Sequence, residues 1–170
     1  MPPLVLSLAD FNSLVDAHAP ALYRIAYRLV GDRHEAEDMV QEAFRSAWKS
    51  RGLYQPGRGD RAWLASILRR RVVDRYRRHA PPPTLTSDDA PEIGITDADP
   101  LAHHYTDEMQ TALARLPTEL RETLLLVVVG ELTHQETADL LDVPLGTVLS
   151  RVSRARRRLR DVLVGTRSET

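Results

Sequence analysis

The apolar residues of this chain recur at spacings of three and four, the period of α-helices that bury one face. In the segment 33–50 they occupy positions 36, 39, 40, 43, 44, 47 and 48. The same period predicts helices at 8–30, with an interruption or bend at Pro20, and at 61–78. No segment alternates like a strand between hairpin turns, so we predict an all-α fold.

Capping residues and prolines predict where these helices begin. Asp32 and Asp60 each precede a helical pattern and are predicted N-caps. A later helix is expected at about 101–115, and Pro117 is expected at the first position of the next, which ends at Gly130. The residues predicted to face inward from the third helix are Leu64, Ile67, Leu68, Val72 and Tyr76.

The segment 133–159 has the pattern of a helix-turn-helix. Thr133 and Glu136 have the spacing of a capping box, which predicts a helix from His134. Pro144 cannot continue that helix, and a second helix is expected to begin near Leu145 or Gly146. In such motifs the second helix enters the major groove of DNA.

The second helix of this motif is strongly basic. Positions 151–160 hold six arginines and no acidic residue. These cations repel one another unless an anion is bound, and a phosphate backbone is the obvious partner. A solvated basic face on an ordinary helical protein is the alternative. The predicted inward positions are Val148, Val152, Ala155 and Leu159, and the opposite side carries Thr147, Ser150, Arg151, Arg154 and Arg158.

The net charge of −1 hides an uneven distribution of charge. Residues 61–78 hold seven arginines and one acid, whereas residues 88–108 hold seven acids and no Lys or Arg. Residues 80–100 are rich in proline, small and acidic residues, a composition that favours a flexible linker. We therefore predict two small helical domains, at 1–79 and 101–170, joined by this linker.

Several classes of protein are disfavoured. The chain has no cysteine, and its adjacent His103 and His104 diverge on a helix, so no metal site and no cofactor are predicted. No glycine-rich phosphate loop or catalytic constellation is present, so an enzyme is not expected. No apolar run approaches the roughly 20 residues that span a bilayer. We expect a cytoplasmic protein without direct membrane insertion.

The order of these parts resembles the small extracytoplasmic-function (ECF) sigma factors of bacterial RNA polymerase, over about 22–78 and 112–163. The helix-turn-helix alone is a common motif, but its occurrence after an acidic helix and an R-A-W-L helix is specific. The resemblance implies that 1–79 is sigma region two and 101–170 is sigma region four. The matching strings are GD at 31–32, AEDMVQEAF at 36–44, RAWL at 61–64, VDR at 73–75, LP at 116–117 and PLGTVLSR at 144–151.

The resemblance also implies partners. Region two of such proteins docks its acidic helix on the clamp helices of the largest subunit of core RNA polymerase, and region four contacts the flap. The four corresponding residues here lie off the apolar stripe, although helix solubility is an ordinary alternative role for them. They are Asp38, Gln41, Glu42 and Arg45.

The third helix of this chain is similar to the one that, in such sigma factors, reads the minus-ten promoter element and holds the melted strand. Trp63 could stack on a base, but packing in the core is the favoured role for it. A flipped base would need a pocket from the loop 53–60. The candidate minus-ten residues are Trp63, Arg69, Arg70, Arg71, Arg75, Arg77 and Arg78.

The second helix of the helix-turn-helix would read the minus-thirty-five element. Thr147, Ser150, Arg151 and Arg154 are candidates for base contacts, and Arg157 and Arg158 for phosphate contacts. The chain departs from the family pattern at three positions. Leu149 replaces a cation, Asp60 replaces an aromatic residue and Arg70 replaces an asparagine.

Members of this family are usually held inactive by an anti-sigma factor, so the resemblance implies such a partner. Two other functions compete with a sigma factor. A stand-alone helix-turn-helix regulator leaves the acidic helix unexplained. A sigma mimic that sequesters an anti-sigma factor would not need the arginines of both predicted DNA-binding helices.

Overall fold

The structure, a computed structural model, describes residues 5–57, 59–79 and 104–167. These residues form seven α-helices and no strand, which confirms the predicted all-α class. The chain divides into two compact units, Met1–Leu85 and Thr86–Thr170. The predicted linker, 80–100, lies outside the described residues, so its flexibility stays a prediction.

Helix α1, Leu8–Val30, opens the first unit and runs through Pro20 without a break, so an interruption there is wrong and a bend stays a prediction. Buried side chains lie on both sides of the proline, including Leu14 and Leu22. Because both turns pack on one core, packing holds the helix together across the missing N–H. The helix ends at Gly31, whose φ of 77° is the left-handed conformation that glycine adopts without strain.

Helices α2, Arg33–Lys49, and α3, Asp60–His79, complete the first unit. Each of the three helices packs against the other two. The Asp32 side chain accepts a hydrogen bond from the Glu35 amide at 2.8 Å, which confirms it as the N-cap of α2. Asp60 is not a cap, because it already lies in the first turn of α3, and the Trp63 amide donates to the Gly59 carbonyl at 3.0 Å.

The core of the first unit confirms most of the inward positions predicted for α3. Leu64 and Leu68 are each 1% exposed, and the helix that carries them packs against α1 and α2. Tyr76 is the exception, because its side chain is 40% exposed. Its hydroxyl donates to the Leu29 carbonyl at 3.0 Å, so the side chain is bonded to the last turn of α1 although much of it is exposed.

The second unit consists of α4, His104–Ala114, α5, Thr118–Val128, α6, His134–Leu141, and α7, Leu145–Arg167. Helix α7 packs against the other three. Pro117 is the N-cap of α5 and not its first helical residue, because its ψ of 140° is extended. Its carbonyl accepts from the Arg121 amide at 3.0 Å, the usual bond of a residue just outside a helix.

Candidate nucleic-acid and partner interfaces

Both ends of α6, the first helix of the helix-turn-helix, lie where the sequence predicts. The Glu136 amide donates to Thr133 Oγ1 at 3.1 Å and the Thr133 amide to the Glu136 carboxylate at 2.8 Å, so the capping box is confirmed. Asp142 ends α6 in the left-handed conformation, with φ of 53°. The sequence placed the stop here but not this conformation, which aspartate tolerates better than most residues.

Helix α7 separates an apolar face from a polar one, as predicted. Val148, Val152 and Ala155 are at most 5% exposed, and Leu159 is half-buried. Ser150 and Arg154 are exposed and bonded to each other, with Arg154 Nη2 donating to Ser150 Oγ at 3.2 Å. Among the other predicted minus-thirty-five residues, Thr147 is half-buried and Arg157 and Arg158 are exposed.

Arg151 differs from the other arginines of α7. Its side chain is only 16% exposed, and its Nη2 donates to the Glu119 carboxylate on α5 at 3.2 Å. The sequence contains no local signal for this pair, because the two residues are separated by 32 positions. Of the candidates for base contact, Arg151 is therefore the one already held by a carboxylate.

One face of α2 is polar and exposed. Asp38, Gln41, Glu42 and Arg45 are all exposed. The buried side of the same helix carries Ala36, Met39, Val40, Ala43 and Ala47. The prediction that the four polar residues point to solvent is confirmed, while their role as contacts to a partner is not tested by this geometry.

The arginines of α3 fall into two groups. Arg70, Arg77 and Arg78 are exposed. Arg69, Arg71 and Arg75 are half-buried.

Two of the half-buried arginines pair with carboxylates. Arg75 donates from Nε to the Glu35 carboxylate of α2, and Arg71 Nη1 lies 4.0 Å from the Asp74 carboxylate. The buried Nε of Arg71 has no hydrogen-bond partner among the described residues. Arg75 thus links α3 to α2 as well as being a candidate for DNA contact.

Trp63 packs against an aromatic partner that the sequence did not single out. Its ring centroid lies 5.1 Å from that of Tyr54, and the planes are tilted by 57°. The Tyr54 hydroxyl donates to the Asp60 carboxylate at 2.6 Å, and this bond, with burial, raises the pKa of Tyr54 to about 12. Trp63 is half-buried, so it is neither a fully buried core residue nor an exposed platform.

The first unit brings the acidic face of α2 beside the arginines of α3. An open concavity of about 280 Å³ is lined by Asp38 and Glu42 from α2 and by Arg71, Arg75 and Arg78 from α3. The sequence treated these as two separate sites. Helix packing makes them neighbours, so a ligand on one surface lies next to a ligand on the other.

The described residues contain no group of three His, Cys, Asp or Glu side chains arranged to hold a metal ion. His103 and the side chain of His104 lie outside what the structure describes. Within the described ranges, no helix combines the length and apolar character needed to cross a bilayer.

Comparison with known families gives the class of protein that these helices define. Sigma-70 region 2 matches residues 14–81, which include the acidic face of α2 and all of α3. Sigma-70 region 4 matches residues 106–159, which include the helix-turn-helix. The chain is therefore a sigma-70 type protein, with region 2 and region 4 in the order that its sequence predicts.

Comparison with curated relatives narrows this class. The chain is 35% identical to the ECF RNA polymerase sigma factor SigE of Mycolicibacterium smegmatis, over 96% of this chain and 65% of that protein. It is 30% identical to the ECF sigma factor SigW of Bacillus subtilis, over 90% of this chain and 88% of that protein. The chain belongs to the ECF family of RNA polymerase sigma factors. It spans a little under two thirds of the length of SigE.

A solved structure shows the same fold. The sigma factor RpoE of Bartonella quintana, in complex with the anti-sigma factor NepR, matches 92% of this chain and 98% of its own chain with a TM-score of 0.74 and 26% identity. CnrH, in complex with the cytosolic domain of CnrY, matches 94% of this chain with a TM-score of 0.72.

Proposed function

We propose that this chain binds core RNA polymerase, directs it to promoters and helps to open the duplex. Residues 1–79 act as region two, 80–100 as a connecting linker and 101–170 as region four. Membership of the ECF family, with both regions in order, is the observation that carries this proposal.

The polymerase contact of region two is proposed for the exposed face of α2. Asp38 and Glu42 supply negative charge, and Gln41 and Arg45 supply hydrogen-bond donors, from a helix whose opposite side is anchored in the core. A rigid helix presents such groups with little loss of side-chain freedom, which favours binding. The clamp helices of the largest subunit are the proposed partner, and region four would contact the flap.

The DNA contacts are proposed for the polar faces of α3 and α7. The exposed Arg70, Arg77 and Arg78 would bind phosphates of the minus-ten segment, with Arg69, Arg71 and Arg75 beside them and Trp63 available to a base. On α7, Ser150 and Arg154 are best placed for base edges because they are exposed near the helix start. Thr147 and Arg151 would flank them, and Arg157 and Arg158 would bind phosphates.

This mechanism requires no chemistry from the chain itself, so we propose a non-enzymatic factor that acts in the cytoplasm. Two structural relatives were solved with partner proteins, an anti-sigma factor in one case. By analogy, an anti-sigma factor is the proposed regulator of this chain. It would inhibit by covering the α2 and α7 faces that polymerase and DNA require.

Charge reversal on α2 tests the polymerase contact. The double variant Asp38→Arg, Glu42→Arg should abolish co-purification with core polymerase, because it places like charges against the proposed basic partner. The single variant Asp38→Arg has a matched control in Asp16→Arg on α1, because Asp16 is also an exposed aspartate. The control should leave co-purification unchanged. Circular dichroism should show unchanged helix content in all variants. Co-purification of the double variant at the wild-type level would contradict the proposal.

Run-off transcription with core enzyme separates the remaining alternatives. A sigma factor supports specific initiation. A sigma mimic binds an anti-sigma factor but yields no transcript, and a stand-alone regulator binds DNA without core enzyme. Failure of the wild-type chain to support initiation with its cognate core would overturn the proposed function.

A further inference from the structure

A second concavity lies in the second unit, between the first turn of α6 and the exposed side of α7. Its volume is about 390 Å³. Leu149 and Val152 form the apolar part of its lining, and His134, Arg156, Arg157 and Arg160 form most of the polar part. Of these residues, only Arg157 is used in the function proposed above.

Within the part of the chain that the structure describes, no carboxylate pairs with the three arginines of this concavity. Arg156, Arg157 and Arg160 are all exposed. Arg151, on another side of α7, shows the contrast, because it already binds Glu119. Three neighbouring unpaired cations repel one another, and an anionic polymer that runs past all three would remove that repulsion.

Leu149 is the unusual residue of the site. It lies in the first turns of α7, between the buried Val148 and the exposed Ser150, and 49% of its surface is exposed. Exposure of a leucine among arginines gains nothing in the free protein. Residues at the start of a recognition helix reach base edges, and an apolar side chain there distinguishes bases by contact with the C5-methyl of thymine.

Building on the function proposed above, we propose that this concavity holds one strand of duplex DNA and that Leu149 selects a thymine in it. The thymine methyl projects into the major groove close to the phosphates of its own strand. One strand can therefore place a methyl on Leu149 while its phosphates meet Arg156, Arg157 and Arg160. His134, at the start of α6, lies beside the same strand.

The test uses full-length chain in holoenzyme with core polymerase. Duplexes are first selected from a random promoter-length library by the wild-type holoenzyme. Each thymine of the best duplex is then replaced, one at a time, by deoxyuridine, which lacks only the methyl. We expect one upstream position where this replacement weakens wild-type binding by about fourfold, the effect of burying one methyl-sized group. The Leu149→Ala holoenzyme should bind both duplexes equally.

Two control variants separate the thymine contact from other effects. Leu145→Ala removes a leucine of similar exposure, 42%, that lies outside the concavity, and it should keep the sensitivity to deoxyuridine. Arg156→Ala should weaken binding equally on thymine and deoxyuridine duplexes and lower the slope of log affinity against log salt by about one.

The outcomes distinguish this proposal from the function on which it rests. If wild-type holoenzyme selects no sequence, the proposed function itself fails. If it selects a sequence but no thymine methyl contributes, or Leu149→Ala remains sensitive to the methyl, the thymine contact is overturned. If Leu149→Ala instead weakens only the binding of a regulatory protein, the concavity is a protein-docking surface and the proposal is wrong.

Discussion

The two basic helices, α3 and α7, hold their arginines in different ways. On α3, Arg75 binds Glu35 of the neighbouring helix and Arg71 lies near Asp74. On α7, the exposed arginines beyond Arg151 form no ion pair with a described residue. Part of the charge of α3 therefore stabilises its own bundle, whereas the charge of α7 is left for a ligand. The affinity of α7 for DNA should therefore fall more steeply with salt concentration than the affinity of α3 does.

The two cores also differ in composition. Phe11 of the first unit lies 5.1 Å from Trp48 and 6.4 Å from Phe44, measured between ring centroids. Residues 106–170 contain no Phe, Trp or Tyr, and the core of the second unit is built from leucine, valine and alanine. Both tryptophans of the chain lie in the first unit. Tryptophan fluorescence therefore reports on that unit alone.

Core truncation should produce the largest effects and should separate the two units. Leu22, fully buried in α1, and Leu124, 5% exposed in α5, are matched positions. Changing either to alanine should lower the free energy of unfolding of its own unit by about 2–5 kcal/mol, because it removes buried methyl groups and leaves a cavity.

Denaturant unfolding followed by two signals checks this expectation. Leu22→Ala should shift the tryptophan fluorescence transition to lower denaturant. Leu124→Ala should leave that transition in place and shift only part of the circular dichroism change. A fluorescence transition that moves with Leu124→Ala would show that the two units unfold as one.

Removal of single charges should produce intermediate effects that differ between the two basic helices. Glu35→Gln should lower the free energy of unfolding of the first unit by about 1 kcal/mol or less, since the side chains of Glu35 and Arg75 are 28% and 38% exposed. Arg156→Ala should leave the second unit equally stable or more stable by a few tenths of a kcal/mol, because it relieves repulsion between like charges.

Unfolding at low and high salt measures both charge variants. The loss caused by Glu35→Gln should shrink in high salt, as should any gain from Arg156→Ala. If Arg156→Ala destabilises its unit as much as Glu35→Gln does, the contrast between the two helices is wrong.

The smallest effect concerns pH. His18 on α1 lies 3.5 Å from Arg61, measured from Nδ1 to Nε. Burial, together with the positive charge of Arg61, lowers the pKa of His18 below its ordinary value of 6.5, although Asp60 opposes this shift. The folded state then binds fewer protons than the unfolded state, so this contribution to stability is present above pH 6.5 and is lost as the pH falls.

His18→Gln checks the pH effect. The variant should weaken the pH dependence of the fluorescence-detected melting temperature on the acidic side of neutrality. The part of the circular dichroism transition that does not coincide with the fluorescence transition belongs to the second unit. That part should be the same in the variant and the wild type. An unchanged pH profile in the first unit would mean that His18 does not contribute to it.

Local patterns predicted most of the architecture correctly. The capping box of Thr133 and the N-cap Asp32 involve groups three residues apart, so the sequence alone contains both partners. The errors arose where neighbouring elements decided the outcome. Helix α1 continues past Pro20 because the turns on both sides of it pack on one core. The carboxylate of Asp60, predicted to cap α3, instead accepts a hydrogen bond from the Tyr54 hydroxyl.

The sequence by itself determined the helices, their order, their apolar faces and the family to which they belong, because each depends on spacings within a few turns. Only the tertiary structure decided which charges are paired between different helices. Arg75 meets Glu35 across 40 positions and Arg151 meets Glu119 across 32. Such pairs, and the concavity around Leu149, depend on how helices cross, and side-chain packing sets that crossing where no local pattern can.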